Sequence, residues 1–197
     1  MTDENASLPG HQLAAQARAS VPAVVAAPGA RVVNADDARF AELLRQYGGA
    51  LGRVVAAYAR PADQDDLAQE IAVALWNALP SFRGDCSERT FVYRVAHNRA
   101  LTHLARRRLR GGDELTDDLV PTDGAPSPET RAAGRQEVAR LYVAIRRLGV
   151  GYRQVLTLAL EDLTHAEIGV CLGISAGNVA VRLNRARVAL RAELEKP

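Results

Sequence analysis

Apolar side chains recur at steps of three and four residues along most of this 197-residue chain, and no stretch alternates apolar and polar residues as a β-strand does. The spacing is clear at residues 40–58, 67–78 and 138–148. Each segment therefore has one apolar face, which predicts amphipathic helices that pack on one another. The predicted fold class is all-α.

A segment rich in glycine, proline and acids interrupts the helical pattern at residues 111–135. Hydrophobic spacing disappears there, which predicts a flexible linker. Residues 1–35 are rich in alanine, proline and glycine without helical periodicity, so we expect a mostly disordered extension. The chain is thus predicted to form two small helical domains, residues 36–110 and 136–193, joined by the linker.

Composition argues against several classes of protein. Neither Cys86 nor Cys171 belongs to a C-x-x-C pair, and the four histidines lack the spacing of zinc ligands. No run approaches the roughly 20 apolar residues of a membrane span. Prolines at positions 22 and 28 argue against a secretory signal. We therefore expect a cytoplasmic protein with no metal, no cofactor and no direct membrane insertion.

Residues 163–190 have the pattern of a helix-turn-helix. Thr164 and Glu167 form a T-x-x-E capping box, and Gly173 supplies a turn whose left-handed backbone favours glycine. The outer face of the second helix carries four candidate DNA contacts: Asn178, Val181, Arg182 and Arg185. In the major groove, arginine can read guanine and asparagine can read adenine. A plain helical hairpin with solvated charges is the alternative.

Residues 91–110, FVYRVAHNRALTHLARRRLR, join an aromatic, apolar stretch to a run of arginines. The apolar stripe moves midway to nearly the opposite side of the helix, which predicts a break or kink near His97 and Asn98. We expect that break to expose both residues, together with Tyr93 and Arg94. Such a surface suits unpaired DNA, because rings stack on bases and arginines hold phosphates. The alternative is a solvated basic helix end, favoured by the helix dipole.

Two segments of the chain resemble those of the sigma-70 family, and the small extracytoplasmic-function sigma factors most of all. Residues 63–108 are similar to region 2 of that family, and residues 141–191 are similar to region 4. Both likenesses in this order, with a variable linker between them, are quite specific. The resemblance implies a bacterial transcription initiation factor, which is a binding protein rather than an enzyme and is restrained by an anti-sigma factor.

The resemblance also implies roles for individual residues. In the family, a D-x-[DE]-D-L-x-Q-E helix binds the coiled coil of the polymerase β′ subunit, and the β flap is a further polymerase contact. The implied polymerase-binding residues are Asp63, Asp65, Asp66, Gln69, Glu70 and Asn77. The family's FRG loop and the helix after it read melted minus-ten DNA, which implies Phe82, Arg83, Tyr93, Arg94, His97, Asn98, Arg106, Arg107 and Arg108. The four outer residues of the helix-turn-helix would bind the minus-thirty-five element as duplex.

The chain departs from the family pattern at two places. Gly149 stands where the family usually has proline. The family's recognition helix often starts Thr-Val with basic or polar neighbours, whereas this one reads GNVAVRL, with Ala180 and Val181, which leaves the promoter sequence open. Apolar groups such as Val73, Trp76 and Val181 are candidate anti-sigma contacts. One alternative function is a stand-alone helix-turn-helix regulator. Another, an arginine-rich nucleic-acid-processing enzyme, lacks a metal cluster, a phosphate loop or a nucleophile–base pair.

Overall fold

The computed structural model describes residues 35–109 and 129–196, which form helices joined by short turns. The helices are α1 (Ala35–Tyr58), α2 (Gln64–Ala78), α3 (Glu88–Leu109), α4 (Glu129–Arg147), α5 (Val150–Leu160), α6 (His165–Leu172) and α7 (Ala176–Leu194). Two short 3-10 turns, Pro61–Asp63 and Leu79–Ser81, flank α2. No strand occurs within the described ranges, and the all-α prediction is confirmed.

The front half of the molecule consists of α1, α2 and α3. The inner face of α2 buries Leu67, Ile71 and Leu75 against α1 and α3. Ala74 and Ala78, further along the same helix, are only partly buried. Pro61 begins the 3-10 turn after α1 and has no backbone N–H to continue the hydrogen bonds of that helix. The acidic residues in the first turn of α2 suit the positive end of its helix dipole.

Helix α3 is continuous over its whole length, so the predicted break near His97 and Asn98 was wrong. The prediction assumed that one core must cover every apolar side chain of this helix. In the structure, α3 packs against α1 and α2 of its own half and also against α6. Different elements therefore cover different sides of one continuous helix.

The rear half consists of α4 to α7, with Ile145, Leu158, Ile168 and Val179 fully buried between them. Helix α4 begins at Glu129, within the range 111–135 that was predicted to be linker. Its first residues, ETRAAGRQE, are mostly good helix formers, which offsets the lack of clear hydrophobic spacing. The rest of that linker prediction, and the predicted disorder of the N-terminal extension up to residue 34, lie outside the described residues.

The two halves pack against each other along what we call the interdomain seam. Helices α4 and α5 contact α1, and α6 contacts α3. The buried apolar side chains of both halves form one continuous core. The two predicted helical domains are thus present, but they are docked together rather than held apart on a tether.

Neither a single membrane-spanning helix nor a cluster of metal ligands occurs within residues 35–109 and 129–196. No single helix there is long and apolar enough to cross a bilayer, and α6 and α7 reach the limit only jointly, across a 98° bend. No three His, Cys, Asp or Glu side chains in these ranges come together as metal ligands would.

Candidate functional surfaces

The outer side of α2 forms an acidic face, which we define as Asp65, Asp66, Gln69 and Asn77. All four side chains are exposed. They lie on the side opposite the buried leucines and isoleucine because each helical residue turns the chain by about 100°. The polymerase-binding residues predicted at these positions are therefore accessible.

Glu70, also predicted to bind polymerase, instead faces the basic end of α3. Its carboxylate oxygens lie close to three bases, at 2.9 Å from Nε of Arg99, 3.7 Å from Nδ1 of His103 and 3.6 Å from Nη1 of Arg106. The side chain is only about a quarter exposed. Glu70 therefore links α2 to α3 instead of standing on the acidic face.

Asp63 makes a similar link, because its carboxylate accepts a hydrogen bond from Arg107. These acid–base pairs line a groove of about 530 Å³ between α2 and α3, to which Asp66, Gln69 and Val73 also contribute. Two acids predicted to bind polymerase and two arginines predicted to bind DNA thus neutralise one another in this structure. Arg108, next in the basic run, is exposed.

The single-strand surface, defined as Phe82, Arg83, Tyr93, Arg94, His97 and Asn98, is only partly open. Arg83 and Asn98 are exposed, and Phe82 and Arg94 are half-buried. The ring of Phe82 packs on Phe91 at 4.6 Å between centroids, and the guanidinium of Arg39 lies 5.6 Å above it. Phe82 is therefore held at the edge of the front core.

Tyr93 and His97 are buried, so the prediction that both are exposed was wrong. Tyr93 is 2% exposed and His97 is 1% exposed. The hydroxyl of Tyr93 donates to Oε2 of Glu161 at 3.0 Å, and Nδ1 of His97 lies 3.0 Å from the hydroxyl of Tyr58. Burial lowers the pKa of His97 to about 3, and burial together with the nearby Glu161 carboxylate raises the pKa of Tyr93.

Glu161, at the end of α5, is the acid that covers Tyr93. Its side chain is 5% exposed, and both carboxylate oxygens accept from Arg53 of α1, at 2.6 Å from Nε and 2.7 Å from Nη2. Arg89 of α3 donates to its backbone carbonyl. The hydrogen bonds between Arg53 and the Glu161 carboxylate raise the pKa of Arg53. Sequence reasoning missed Glu161 because its partners lie 68 to 108 residues away.

Further polar contacts cross the interdomain seam. Arg146 of α4 donates to the carbonyl oxygen of Ala56 at 3.0 Å. The guanidinium of Arg153 in α5 lies 5.5 Å from the ring centre of Tyr58. The thiol of Cys171 in α6 approaches the carbonyl oxygen of Thr90 at 3.5 Å, and burial raises its pKa to about 12. Cys171 therefore packs at the interdomain seam.

The helix-turn-helix has the predicted local geometry. The hydroxyl of Thr164 accepts from the backbone N–H of Glu167 at 3.2 Å, and the Glu167 carboxylate accepts from the N–H of Thr164 at 2.8 Å. Gly173 has a left-handed backbone with φ +67°, and Ser175 caps α7 by accepting from the N–H of Asn178. The predicted capping box and turn glycine are both confirmed.

A close approach inside this motif was not foreseen. A β-carbon at Gly169 would lie 2.6 Å from the carbonyl oxygen of Ile174, closer than side chains are found to pack. The N–H of Ile174 also donates back to Gly169 at 3.1 Å. Glycine in the first helix therefore lets the turn fold back onto it. The sequence signal was a glycine inside an apolar helix, four residues before the turn glycine.

The outer face of α7 is open to solvent. Asn178, Val181 and Arg185 are exposed, and Val181 is 51% exposed. Arg182 is half-buried, and its Nε donates to Oδ1 of Asn178 at 2.9 Å. This bond joins the predicted guanine reader to the predicted adenine reader one helical turn away, which fixes the direction of both side chains.

Comparisons with known proteins match both halves to one family. Residues 43–110 match Sigma-70 region 2, and residues 139–190 match Sigma-70 region 4. The RNA polymerase sigma factor NccH of Alcaligenes xylosoxydans xylosoxydans is 30% identical over 179 residues, covering 88% of this chain and 96% of the relative. The RNA polymerase sigma factor CnrH of Cupriavidus metallidurans is 31% identical over 175 residues, covering 84% and 92%.

Solved structures extend the likeness to the arrangement of helices. CnrH in complex with the cytosolic domain of CnrY is similar with a TM-score of 0.59 at 27% identity, covering 94% of this chain and 96% of that chain. The sigma factor RpoE in complex with the anti-sigma factor NepR from Bartonella quintana has a TM-score of 0.60 at 15% identity, covering 79% and 95%. The second likeness bears on the fold alone.

Proposed function

The chain belongs to the sigma-70 family of RNA polymerase sigma factors, in its extracytoplasmic-function group, and from that premise we propose which surface performs each step. It directs core polymerase to specific promoters and initiates transcription there. The observation that carries the assignment of surfaces is that an exposed acidic face and an exposed recognition helix occur on opposite halves of one chain. A stand-alone regulator needs only the second.

The acidic face is proposed to bind core polymerase. Asp65 and Asp66 have exposed carboxylates that could pair with basic groups of a partner. Such charges contribute more to the orientation of the two proteins as they meet than to the affinity of the complex. Val73 is 59% exposed and Trp76 is 39% exposed along the same helix. Large apolar groups beside charges are typical of a binding surface, and they would supply affinity. The β′ coiled coil is the proposed partner, with the β flap as a second contact.

The single-strand surface is proposed to capture melted minus-ten DNA. Arg83 and Asn98 are exposed for phosphate and base contacts, and Phe82 lies at the rim for stacking. Arg106 and Arg108 at the end of α3 would hold the adjoining backbone. Tyr93 belongs to the same surface only once Glu161 has moved away.

The outer face of α7 is proposed to bind the minus-thirty-five element as duplex. Asn178, Val181 and Arg185 would meet base edges in the major groove. Arg182, fixed by its bond to Asn178, would meet a base or a neighbouring phosphate. Phosphate contacts set the position of the helix, and base contacts set the sequence.

An anti-sigma factor is proposed as a further partner. The solved structure of CnrH, similar over almost the whole chain, contains the cytosolic domain of CnrY. The exposed apolar side chains Val73, Trp76 and Val181 are the proposed contacts for such a regulator. The protein would act in the cytoplasm, by binding alone and without a cofactor, wherever core polymerase meets DNA.

Run-off transcription on promoter fragments and gel filtration with purified core polymerase test this proposal. We expect the chain to co-elute with core polymerase and to give transcripts that core polymerase alone does not give. Asp65→Arg with Asp66→Arg should abolish co-elution while duplex binding persists. Asp36→Arg, an exposed acid on α1, is the control for added charge. Duplex binding without co-elution by the natural chain would favour the stand-alone regulator instead.

A further inference from the structure

The residue that covers Tyr93 belongs to the other half of the molecule. Glu161 ends α5 in the rear half, whereas Arg53, Arg89 and Tyr93 lie on α1 and α3 in the front half. The Glu161 side chain thus accepts hydrogen bonds from Arg53 of α1 and Tyr93 of α3 at once. No other contact across the seam described above combines a charge pair with burial of a proposed DNA-binding ring.

The energetics of this contact favour an all-or-none arrangement. Arg53 is 15% exposed and Glu161 is 5% exposed, so both charges have lost most of their water. A buried ion pair adds little over well-packed apolar groups, but removal of one partner is strongly destabilising because the other charge stays buried and unpaired. The halves therefore separate with both charges returning to water, or they stay together with the pair intact.

We propose that the contacts of Glu161 hold the two halves together in the free protein and thereby keep Tyr93 from single-stranded DNA. This inference rests on the proposed role of Tyr93 in the single-strand surface. Opening would free the Tyr93 hydroxyl, its ring and Arg53 together. Because only the open form binds, the apparent affinity for single strands is lowered by the fraction of molecules that is open.

Cys171 provides a built-in reporter of opening. Its thiol is 6% exposed and sits against Thr90 of α3 across the seam. Separation of the halves uncovers it and removes the burial that raises its pKa, so a thiol reagent should react faster. Substitution of Cys86, the second cysteine and half-buried in the front half, by serine leaves Cys171 as the single reactive thiol.

The first experiment measures the rate of Cys171 modification by a soluble thiol reagent in full-length Cys86→Ser protein. We expect Glu161→Gln and Arg53→Gln, one on each side of the seam, to react about tenfold faster or more. Glu42→Gln is the matched control, because it breaks an Arg–Glu pair that lies within α1 and is exposed. Tyr93→Phe, which deletes one hydroxyl, should give a smaller increase. Circular dichroism verifies folding of each variant.

The second experiment measures binding of a fluorescent single-stranded oligonucleotide by anisotropy, without polymerase. Glu161→Gln should bind about tenfold more tightly than the natural chain, and adding Tyr93→Ala should remove most of that gain. An unchanged rate of Cys171 modification in both Glu161→Gln and Arg53→Gln would overturn the proposal that Glu161 holds the halves together. Faster Cys171 reaction without tighter DNA binding would overturn its role in covering Tyr93. Neither readout needs transcription, so an inactive natural chain in run-off assays would reject the sigma function separately.

Discussion

The two proposed DNA-binding surfaces of this protein differ in how accessible their residues are to solvent. On the rear half, Asn178, Val181 and Arg185 stand in solvent on an unobstructed helix face. On the front half, Tyr93 lies under Glu161 of the rear half, and His97 is buried against Tyr58 of its own half. The duplex-reading surface can thus form from its own helix alone, whereas the single-strand surface needs a change in how the halves are arranged. We therefore expect recognition of the upstream element to precede capture of the melted strand.

The two surfaces also differ in how their charged side chains are paired. Front-half groups are engaged with one another, Asp63 with Arg107 and Glu70 with Arg99, or with the rear half through Arg53. On the outer face of α7 the bond described is a local one between Arg182 and Asn178. Ion pairs between residues distant in sequence thus hold the charged side chains of the front half. A hydrogen bond within one helix holds Arg182 on the outer face of α7.

The largest effect on stability is expected at Gly169 of the rear half, where the turn of the helix-turn-helix packs closely on the helix before it. Gly169→Ala should lower the free energy of unfolding by roughly 1–3 kcal/mol, because the added methyl meets the carbonyl oxygen of Ile174. Gly177→Ala is the control, since its β-carbon meets nothing within 4 Å, and in the first turn of α7 it should leave the free energy of unfolding unchanged or slightly raised. Urea unfolding measures both. Equal effects of the two substitutions would show that the turn tolerates a side chain.

The front half should respond to pH through buried His97. Its folded pKa of about 3 lies below the ordinary value of about 6.5, so between these values the unfolded chain binds a proton that the folded chain does not. The free energy of unfolding should therefore fall by up to about 1 kcal/mol per pH unit on acidification below about 6.5. Urea unfolding at pH 7.5 and 5.5 measures it. His97→Gln should flatten this dependence, and an equally steep slope in that variant would assign it to other groups.

Arg185 should contribute a distinct part of duplex binding on the rear surface. If Arg185→Ala removes a phosphate contact, the log–log salt dependence of duplex affinity should become shallower by about 1 unit. If it removes a base contact, affinity should fall by about 1–3 kcal/mol for one base only. Anisotropy titrations over a salt series distinguish the two. An unchanged slope and an unchanged sequence preference would exclude Arg185 from the interface.

The smallest effect is expected from the pairs between α2 and α3. Glu70→Gln frees Arg99 and Arg106 from their acid, so the front half should bind single strands slightly more tightly, by about 0.2–1 kcal/mol. Asp65→Asn removes the same charge from an exposed position of the same helix and is the matched control. Equal gains in both variants would mean that overall charge, and not release of the arginines, is responsible.

The sequence predicted those features that depend on neighbours along the chain. The capping box at Thr164, the turn at Gly173 and the outer face of α7 follow from spacing and from glycine's backbone freedom, and the structure has all three. The predicted break in α3 and the predicted exposure of Tyr93 were wrong for one reason. Both depend on which distant segment covers the helix, and contacts with α6 and Glu161 leave no periodic signal.

The distance between the two halves in solution tests the account most directly. Spin labels at exposed positions 41 on α1 and 195 after α7, in a chain whose own cysteines are replaced by serine, report that distance by pulsed electron resonance. We predict one narrow distribution for the free chain and a broader one, with a different mean distance, after core polymerase is added or in Glu161→Gln. A broad distribution in the free chain, identical to that of Glu161→Gln, would contradict a closed protein held by Glu161.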